Sequence, residues 1–171
     1  ALNTFGGIVS PGNLFGRTYA ANPPASISAG FGSRFIYSVT PTLNVSADAA
    51  QGKVYGNADP GAYTYGVTGL VAGDTTGSAL SGALTRAAGE NVGSYAITQG
   101  TLTDQLGYVV SYTGNTFAIA QRAVTVTADA GQGKVYGNAD PGSFTYTNTS
   151  LGTGTALVGS LSRAAGENVG S

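Results

Sequence analysis

The chain contains no cysteine, histidine, methionine or tryptophan. The lack of cysteine and histidine removes the commonest thiol nucleophiles, general bases and metal ligands of proteins. Charge is also scarce, with seven basic and eight acidic residues among 171 and a formal net charge of −1. Nucleic acids and anionic membranes are bound through clustered lysines and arginines, so neither partner is expected. No apolar run approaches the ~20 residues of a membrane-spanning helix, so membrane insertion is not expected either.

Glycine, threonine, serine and asparagine are abundant, and glycine alone accounts for 28 residues. The hydrophobic share of 42%, with ten tyrosines and six phenylalanines, is large enough to bury a core, so the chain is not a disordered tract. Cysteine-free, weakly charged chains of this kind are typical of proteins that bacteria secrete or display on their surface. We therefore expect an extracellular protein.

Two blocks of the sequence are written twice. Residues 47–61 return as residues 128–142 with one change, and residues 86–94 return unchanged as residues 163–171. The first block recurs after 81 residues and the second after 77, so a loop between them is four residues shorter in the second copy. Tandem copies this similar indicate a repetitive array, which is built for length and surface rather than for one active site.

Within each copy, apolar and polar residues alternate with a period of two. Side chains on a strand point to opposite faces in turn, so each such segment predicts a strand with one buried and one exposed face. Turn signals separate the segments at residues 57–61, 104–107 and 113–115. Residues 78–88 are ambiguous between helix and strand, and their glycine favours a strand. The apolar members of the alternating segments are Leu43, Val45, Ala47, Tyr95, Ile97, Tyr108, Val110, Tyr112, Phe117, Ile119, Val124, Val126 and Ala128.

Short strands at this spacing predict an all-β protein of small antiparallel β-domains in tandem, either immunoglobulin-like or β-grasp-like. Residues 1–41 do not recur, and their glycine and proline turn signals predict an irregular junction segment of short strands. The first complete repeat is residues 42–122. The second repeat, residues 123–171, is incomplete because it holds no counterparts of the core residues that follow residue 94. Burial of those side chains contributes more than the net stability of a domain, so we expect strands from outside these residues to complete it.

The segment Lys53–Pro60 is the most distinctive motif of the repeat. A strand that enters a turn explains it, because glycine, asparagine, aspartate and proline are the residues that turns require. A calcium loop is the alternative, with Asp48, Asn57 and Asp59 as candidate ligands. Calcium needs six to eight oxygen ligands, and this segment offers few carboxylates, so the turn is the favoured interpretation.

The segment Arg86–Ile97 predicts a hairpin with its turn at residues 89–91. Lys53, Glu90 and Asn91 have the side chains of a spontaneous intramolecular isopeptide bond, but a simple ion pair between strands explains the same residues. The ion pair is the favoured interpretation. The same trio recurs in the second copy as Lys134, Glu167 and Asn168.

Catalysis is not expected, and no cofactor is predicted. The acidic residues lie in turns, and most of them recur in the second copy, which fits a scaffold better than a single cleft. No nucleophile elbow, phosphate loop or dinucleotide fingerprint is present. Tyrosines can stack on sugar rings, and Tyr65 and Tyr108 are the candidates for a glycan site, although core packing explains most tyrosines equally well.

The repeats resemble the MBG/YDG-type modules that occur in tandem in very large secreted proteobacterial exoproteins, the filamentous-haemagglutinin-like adhesins of two-partner secretion. The resemblance lies in Val126–Ala130, Lys134–Pro141 and Arg86–Gly100. Residues 2–41 resemble the junction that follows the β-helical shaft of such proteins. The resemblance implies export through an outer-membrane partner, display at the cell surface or release from it, and a role in adhesion or in a biofilm matrix. It implies no ligand residue.

From the repeats and the resemblance we expect a non-catalytic stalk or spacer of a secreted bacterial adhesin, which serves surface attachment or cell-cell adhesion. Its partners would be neighbouring repeats, other copies of the protein, or a glycan or protein of a host surface or matrix. One alternative is the subunit of a filament or matrix that assembles by strand donation between chains. A second alternative is a glycan-binding module.

Overall fold

A computed structural model describes residues 3–5, 8–10, 12–23 and 35–169. Their regular secondary structure is almost entirely β-strand, and no helix among them is long and apolar enough to cross a membrane. In chain order the elements are β1 (Asn3–Phe5), β2 (Ile8–Ser10), β3 (Asn13–Leu14), β4 (Phe35–Ile36), β5 (Thr42–Ala47), β6 (Gln51–Val54), β7 (Tyr65–Thr68), α1 (Thr76–Ala79), β8 (Leu80–Ser81), β9 (Thr85–Arg86), β10 (Gly93–Thr98), β11 (Thr103–Asp104), β12 (Val109–Thr113), β13 (Asn115–Ala120), β14 (Val126–Ala128) and β15 (Tyr146–Asn148).

Two long segments form the centre of the first repeat. Strands β5 and β6 follow one another along the first segment, and β12 and β13 follow one another along the second. Strand β12 lies parallel to β5, and β13 lies parallel to β6. The first pair belongs to a sheet of order β12-β5-β7, and the second to a sheet of order β6-β13-β10-β9. Each segment therefore passes from one sheet into the other, and the two sheets share their central chains.

The segments differ by one residue where they bend. Ser46 lies opposite Thr113, and Gln51 lies opposite Phe117, so the first segment has one more residue between these pairs. An extra residue on one strand is a β-bulge, which bends the strand and increases its twist. At the bend the side-chain amide of Asn115 donates a hydrogen bond of 3.2 Å to the Ala47 carbonyl, which replaces a lost ladder contact.

The core lies between the two sheets of the first repeat. The alternation predicted for β5 is confirmed, because its apolar side chains are buried and its polar ones exposed. The predicted alternation of β10 and β13 is likewise present, with Ile97, Phe117 and Ile119 buried. The buried hydrophobic residues are Phe15, Leu43, Val45, Ala47, Ala79, Leu80, Leu84, Ile97, Leu102, Leu106, Tyr108, Phe117 and Ile119.

The described part of the junction segment packs onto the first repeat. Strand β3 pairs with β4, and the Phe15 ring stacks against Tyr37 and meets Tyr108 edge-on at 4.7 Å between ring centroids. Asn13 is fully buried, and its backbone N–H donates a hydrogen bond of 2.9 Å to the Asp74 carboxylate. The parts of the predicted junction at residues 1–2, 6–7, 11 and 24–34 lie outside the described residues.

The prediction of an all-β fold is confirmed, and three local expectations need correction. The sheets are mixed rather than purely antiparallel, because the central pairs of the first repeat are parallel. Residues 113–115, where a turn is predicted, form the bend between consecutive strands of different sheets. The stretch 78–88 begins at the end of helix α1 before it turns into β8 and β9. Thr75 and Ser78 cap this helix reciprocally, which favours one helical turn despite the glycine.

The second repeat is more open than the first. Its described strands are β14 and β15, which pair with each other. Residues 132–135 have the same sequence as β6 but do not form a strand. In the first repeat β6 pairs with β13, and the 171 residues contain no second copy of β13. Val126 is 43% exposed, whereas its counterpart Val45 in the first repeat is fully buried.

The one difference between the copied blocks falls at a position with a left-handed backbone, and this supports a stability prediction. Ala50 has a φ of 60°, and it is the one non-glycine residue with a positive φ in the described part of the chain. Its counterpart Gly131 has a φ of 74°. Relief of left-handed strain outweighs the extra entropy of glycine, so Ala50→Gly is expected to stabilise the first repeat by about 0.5–1 kcal/mol. Urea unfolding measures this change.

The neighbouring Ala49→Gly variant is the matched control for Ala50→Gly. It adds the same unfolded-state entropy without a positive φ to relieve, so it should lower the free energy of unfolding. Equal effects of the two substitutions would contradict the strain at Ala50.

Candidate functional site

Four charged side chains of the first repeat form a closed ring of ion pairs, here called the first ion cluster. Its members are Lys53, Asp59, Arg86 and Glu90. The Lys53 ammonium lies 2.7 Å from the Asp59 carboxylate and also contacts Glu90. The Arg86 guanidinium lies 2.7 Å from Asp59 and 2.5 Å from Glu90. Each cation therefore contacts both anions, and each anion contacts both cations.

The repeated motifs position this cluster. Lys53 lies on β6, and Asp59 lies in the turn that follows it, while Arg86 ends β9 and Glu90 lies in the hairpin turn before β10. The predicted hairpin is present, because β9 and β10 pair antiparallel. Arg86 also donates to the backbone carbonyl of Gly89 at 2.6 Å, so one side chain holds the turn that presents Glu90.

The cations of the first ion cluster are buried and its anions face outward. The side chains of Lys53 and Arg86 are 5% and 7% exposed, against 32% and 68% for Asp59 and Glu90. The guanidinium of Arg86 lies 5.2 Å from the centre of the Tyr95 ring, and it also lies over Phe117. Aromatic faces attract cations, so these rings both cover the guanidinium and stabilise its charge.

The pairing shifts the proton affinities of the cluster. A hydrogen bond from Arg86 is the main cause that lowers the pKa of Asp59, and Lys53 and Tyr63 also donate to this carboxylate. A hydrogen bond from Lys53 is the main cause that lowers the pKa of Glu90. Hydrogen bonds to Asp59 and then Glu90 raise the pKa of Lys53. All four groups are therefore held in their charged forms.

The second repeat contains the same arrangement, here called the second ion cluster, formed by Lys134, Asp140, Arg163 and Glu167. Lys134 lies 2.9 Å from Asp140 and 2.5 Å from Glu167, and Arg163 lies 2.9 Å and 2.6 Å from the same two groups. Its cations are more exposed, at 19% for Lys134 and 32% for Arg163. The rings that cover Arg86 have no counterparts among the 171 residues, which accounts for the difference.

The geometry bears on the choice between an ion pair and an isopeptide bond. Lys53 contacts the carboxylates of Asp59 and Glu90, and its raised pKa keeps it an ammonium without a lone pair for attack. The recorded contact of Asn91 is made by its backbone carbonyl, which accepts a hydrogen bond of 2.7 Å from the Tyr95 hydroxyl. In the second copy Lys134 likewise contacts Asp140 and Glu167, and Asn168 makes no described contact with it. The contacts are those of an ion cluster.

The three calcium candidates do not share a site in this structure. The Asn57 side-chain oxygen accepts a hydrogen bond from Arg122. The carboxylate of Asp59 forms ion pairs with Lys53 and Arg86. Asp48 is exposed at the bend after β5. The described residues contain no group of three or more acidic side chains that could hold a metal ion.

Tyr108, one of the two candidates for stacking on a glycan, lies in the core of this structure. Its ring is buried, and its hydroxyl donates to Asp74 at 2.6 Å and accepts from the Val71 amide at 2.9 Å. Burial and the bond to Asp74 raise the pKa of Tyr108 to about 12. Tyr65 is half-buried against the core and lies opposite Ala47 in the sheet.

Sequence reasoning missed Arg122, which lies between the two repeats. Its guanidinium donates to the Tyr55 carbonyl at 2.7 Å and to the Asn57 side chain in the first repeat. It also donates to the Ser150 carbonyl of the second repeat at 3.4 Å. Arg122 lies outside the duplicated blocks, so repetition alone does not reveal it. The signal available in the sequence was a single arginine in the short stretch between two domains.

These observations define a class of protein: tandem all-β repeats, each held by the same cluster of four charges. The model of the MBG domain (YGX type) family matches residues 43–118 and 124–171. The matches cover most of the chain, which therefore belongs to this family, a repeat-type domain found in extracellular and surface proteins. Neither the curated proteins nor the solved structures contain a significant match to the chain.

Removal of one cluster carboxylate should affect the two repeats unequally. Asp59→Asn takes away the anion that Lys53 and Arg86 share, and both cations are buried. We expect a loss of about 1–3 kcal/mol in the free energy of unfolding, the cost of removing a hydrogen-bonded partner from charged groups. Asp140→Asn should cost much less, because water reaches the cations of the second ion cluster. Urea unfolding of both variants measures the difference.

The control for these variants is Asp48→Asn, which removes one negative charge at an exposed position outside both clusters. It should leave the unfolding midpoint nearly unchanged. If Asp59→Asn were no more destabilising than Asp48→Asn, the first ion cluster would have no part in stability.

The lowered carboxyl pKa values predict acid sensitivity. In the unfolded chain the pKa values of Asp and Glu are about 4. The pKa values of Asp59 and Glu90 in the folded protein are lower. Below that pH the unfolded chain binds more protons, so the stability from these groups, complete at neutral pH, is lost as pH falls through the folded values. Urea unfolding between pH 7 and pH 2 measures the decline. Asp59→Asn should show a shallower decline, and an identical one would contradict the assignment.

Proposed function

We propose that this chain is the non-catalytic stalk or spacer region of a secreted bacterial adhesin of the filamentous-haemagglutinin-like, two-partner-secretion type. Its small β-domains hold a separate binding region away from the cell surface. Its partners are neighbouring repeats of the same array. The ligand-binding part of the adhesin lies elsewhere in the protein.

The observation that carries this proposal is the duplication of the whole ion cluster. All four of its charges recur with the same contacts in the second repeat, although fewer side chains cover them there. A singular catalytic or ligand site has no need of a copy in the neighbouring domain, whereas a scaffold needs the same internal brace in every repeat. The charges of each cluster are used in pairing with one another, which supports a structural role.

The alternative is a filament or matrix subunit that assembles by strand donation. It is favoured by residues 132–135, which repeat the sequence of β6 but form no strand with the described part of the chain. A strand from another copy of the protein could lie there as β13 lies against β6. The glycan-binding alternative has less support, because Tyr108 is buried and Tyr65 is half-buried against the core.

Replacement of the repeat in the natural protein tests the spacer proposal. Deletion of residues 42–122 should bring the distal part closer to the cell and reduce adhesion of the bacteria to their target surface. Substitution of the same residues by an unrelated rigid β-domain of equal length should restore adhesion, because only the distance matters. Adhesion counts and the accessibility of a distal epitope tag on whole cells measure both effects.

Two results would contradict the spacer. One is saturable binding of the purified 171-residue chain to the target surface together with failure of the unrelated domain to restore adhesion. The other is concentration-dependent assembly of the purified chain into filaments, which would favour strand donation. The natural protein with Lys53→Gln is the control for misfolding, because this substitution alters the ion cluster without changing the length of the repeat.

A further inference from the structure

The first repeat contacts the second through the Tyr-Gly-Asn turn that follows β6. The Gly56 carbonyl accepts two hydrogen bonds from Thr153, at 2.8 Å from its amide and 3.1 Å from its hydroxyl. Thr153 belongs to a loop of the second repeat, residues 150–154, which lies between β15 and Arg163 in the chain. The repeats are therefore joined by direct contact as well as by the connecting chain.

The close approach of the two backbones depends on glycine at position 56. Its φ is 78°, and an added Cβ would lie 2.5 Å from the Leu151 carbonyl oxygen. On the other side of the contact, a Cβ at Gly152 would lie 2.3 Å from the Gly56 carbonyl oxygen. Both glycines are needed for space as well as for their positive φ.

Arg122 holds the two sides of this contact together. Three nitrogens of its guanidinium reach three acceptors, two on the turn of the first repeat and one, Ser150, on the loop of the second. The three nitrogens of a planar guanidinium point in fixed, divergent directions and so reach acceptors on both repeats, whereas the donors of lysine all lie on one atom.

The corresponding loop of the first repeat also contacts the part of the chain that precedes its repeat. Counted from the Pro-Gly pair that the copies share, residues 69–73 correspond to residues 150–154. In the first repeat the carbonyl of Ala72 accepts a hydrogen bond of 3.3 Å from the side chain of Asn13, in the junction segment. In both repeats this loop is therefore the part that receives the preceding piece of the chain.

The turn of the second repeat presents the same surface, and no loop in the described part of the chain packs against it. Tyr136 is 70% exposed, whereas Tyr55 is half-buried, and an added Cβ at Gly154 would lie 2.7 Å from the Tyr55 ring. Gly137 keeps a φ of 87° and has open space around it.

We propose that the Tyr-Gly-Asn turn of each repeat is a docking surface for the next repeat along the chain, clamped by the arginine between them. The partner is the loop of that next repeat, the counterpart of residues 150–154, and the contact fixes the angle between successive repeats. Tyr136–Asn138 is the same surface for a further MBG repeat. The inference rests on the proposed spacer function and adds that the spacer is stiff.

Distance measurements within the full chain test the joint. The sequence has no cysteine, so Ser111→Cys on β12 and Thr147→Cys on β15 provide two exposed, unique positions for spin labels. The parent chain should give one narrow distance distribution between the repeats. Gly56→Ala, Gly152→Ala and Arg122→Lys should each broaden it, because each disrupts the contact from a different side.

Two further glycines provide matched controls for the alanine variants. Gly137 and Gly159 also have positive φ values, of 87° and 104°, but an added Cβ at either would meet no neighbour within 4 Å. Gly137→Ala and Gly159→Ala carry the same backbone strain without entering the joint, so the distribution should stay narrow. Gly152 and Gly159 lie in the same repeat, which separates loss of docking from loss of folding there.

A broad distribution in the parent chain would overturn the joint, and so would broadening by the control glycines equal to that by Gly152→Ala. Narrow distributions in all three joint variants would overturn it as well. None of these results bears on whether the unrelated domain restores adhesion, since a flexible spacer also gives distance. Failure of the joint and failure of the spacer are therefore distinguishable.

Discussion

The parallel pairing of residues 42–54 with residues 109–120 is the constraint on which the first repeat depends. These two segments are the only described chains that enter both large sheets, and the buried side chains of β5 and β13 line the space between them. The second repeat has no counterpart of the later segment among the 171 residues. Its copy of β6 forms no strand, most of its valines are exposed, and the cations of its ion cluster keep their contacts but are less covered.

The ion cluster and the core stabilise the repeat at different levels. The four charged residues of the cluster all lie within residues 53–90. Their contacts recur in the second repeat although the later strands have no counterpart there. Burial of the cations does need those strands, because Tyr95 and Phe117 supply the covering rings. Removal of one partner from an exposed ion pair costs little stability, whereas removal from a covered pair leaves a buried charge without its partner and costs more. The cluster is thus a local brace that becomes important when the last strands close over it.

Much of the fold could be predicted from the sequence because each strand has one buried face. The period of two located β5, β10 and β13, and the duplicated blocks located the repeats. Alternation specifies faces and not neighbours, so the parallel central pairs were not predictable. A carboxylate in a turn suits a cation of either kind, so the sequence left Asp59 open as a calcium candidate, whereas the structure pairs it with Lys53 and Arg86. Tyrosine packs equally well in a core or on a sugar, so the sequence could not place Tyr108.

The late position of β12 and β13 in the repeat also governs how it can fold. Their partners β5 and β6 lie more than sixty residues earlier, so the central contacts have high sequence separation and form slowly. A repeat remains without its core until its final strands are free to pair with its early ones. The next copy of Gln51–Val54, identical in sequence at residues 132–135, follows soon after β13. Because β12 and β13 are consecutive, the pairing of β12 with β5 places β13 beside β6 of its own repeat.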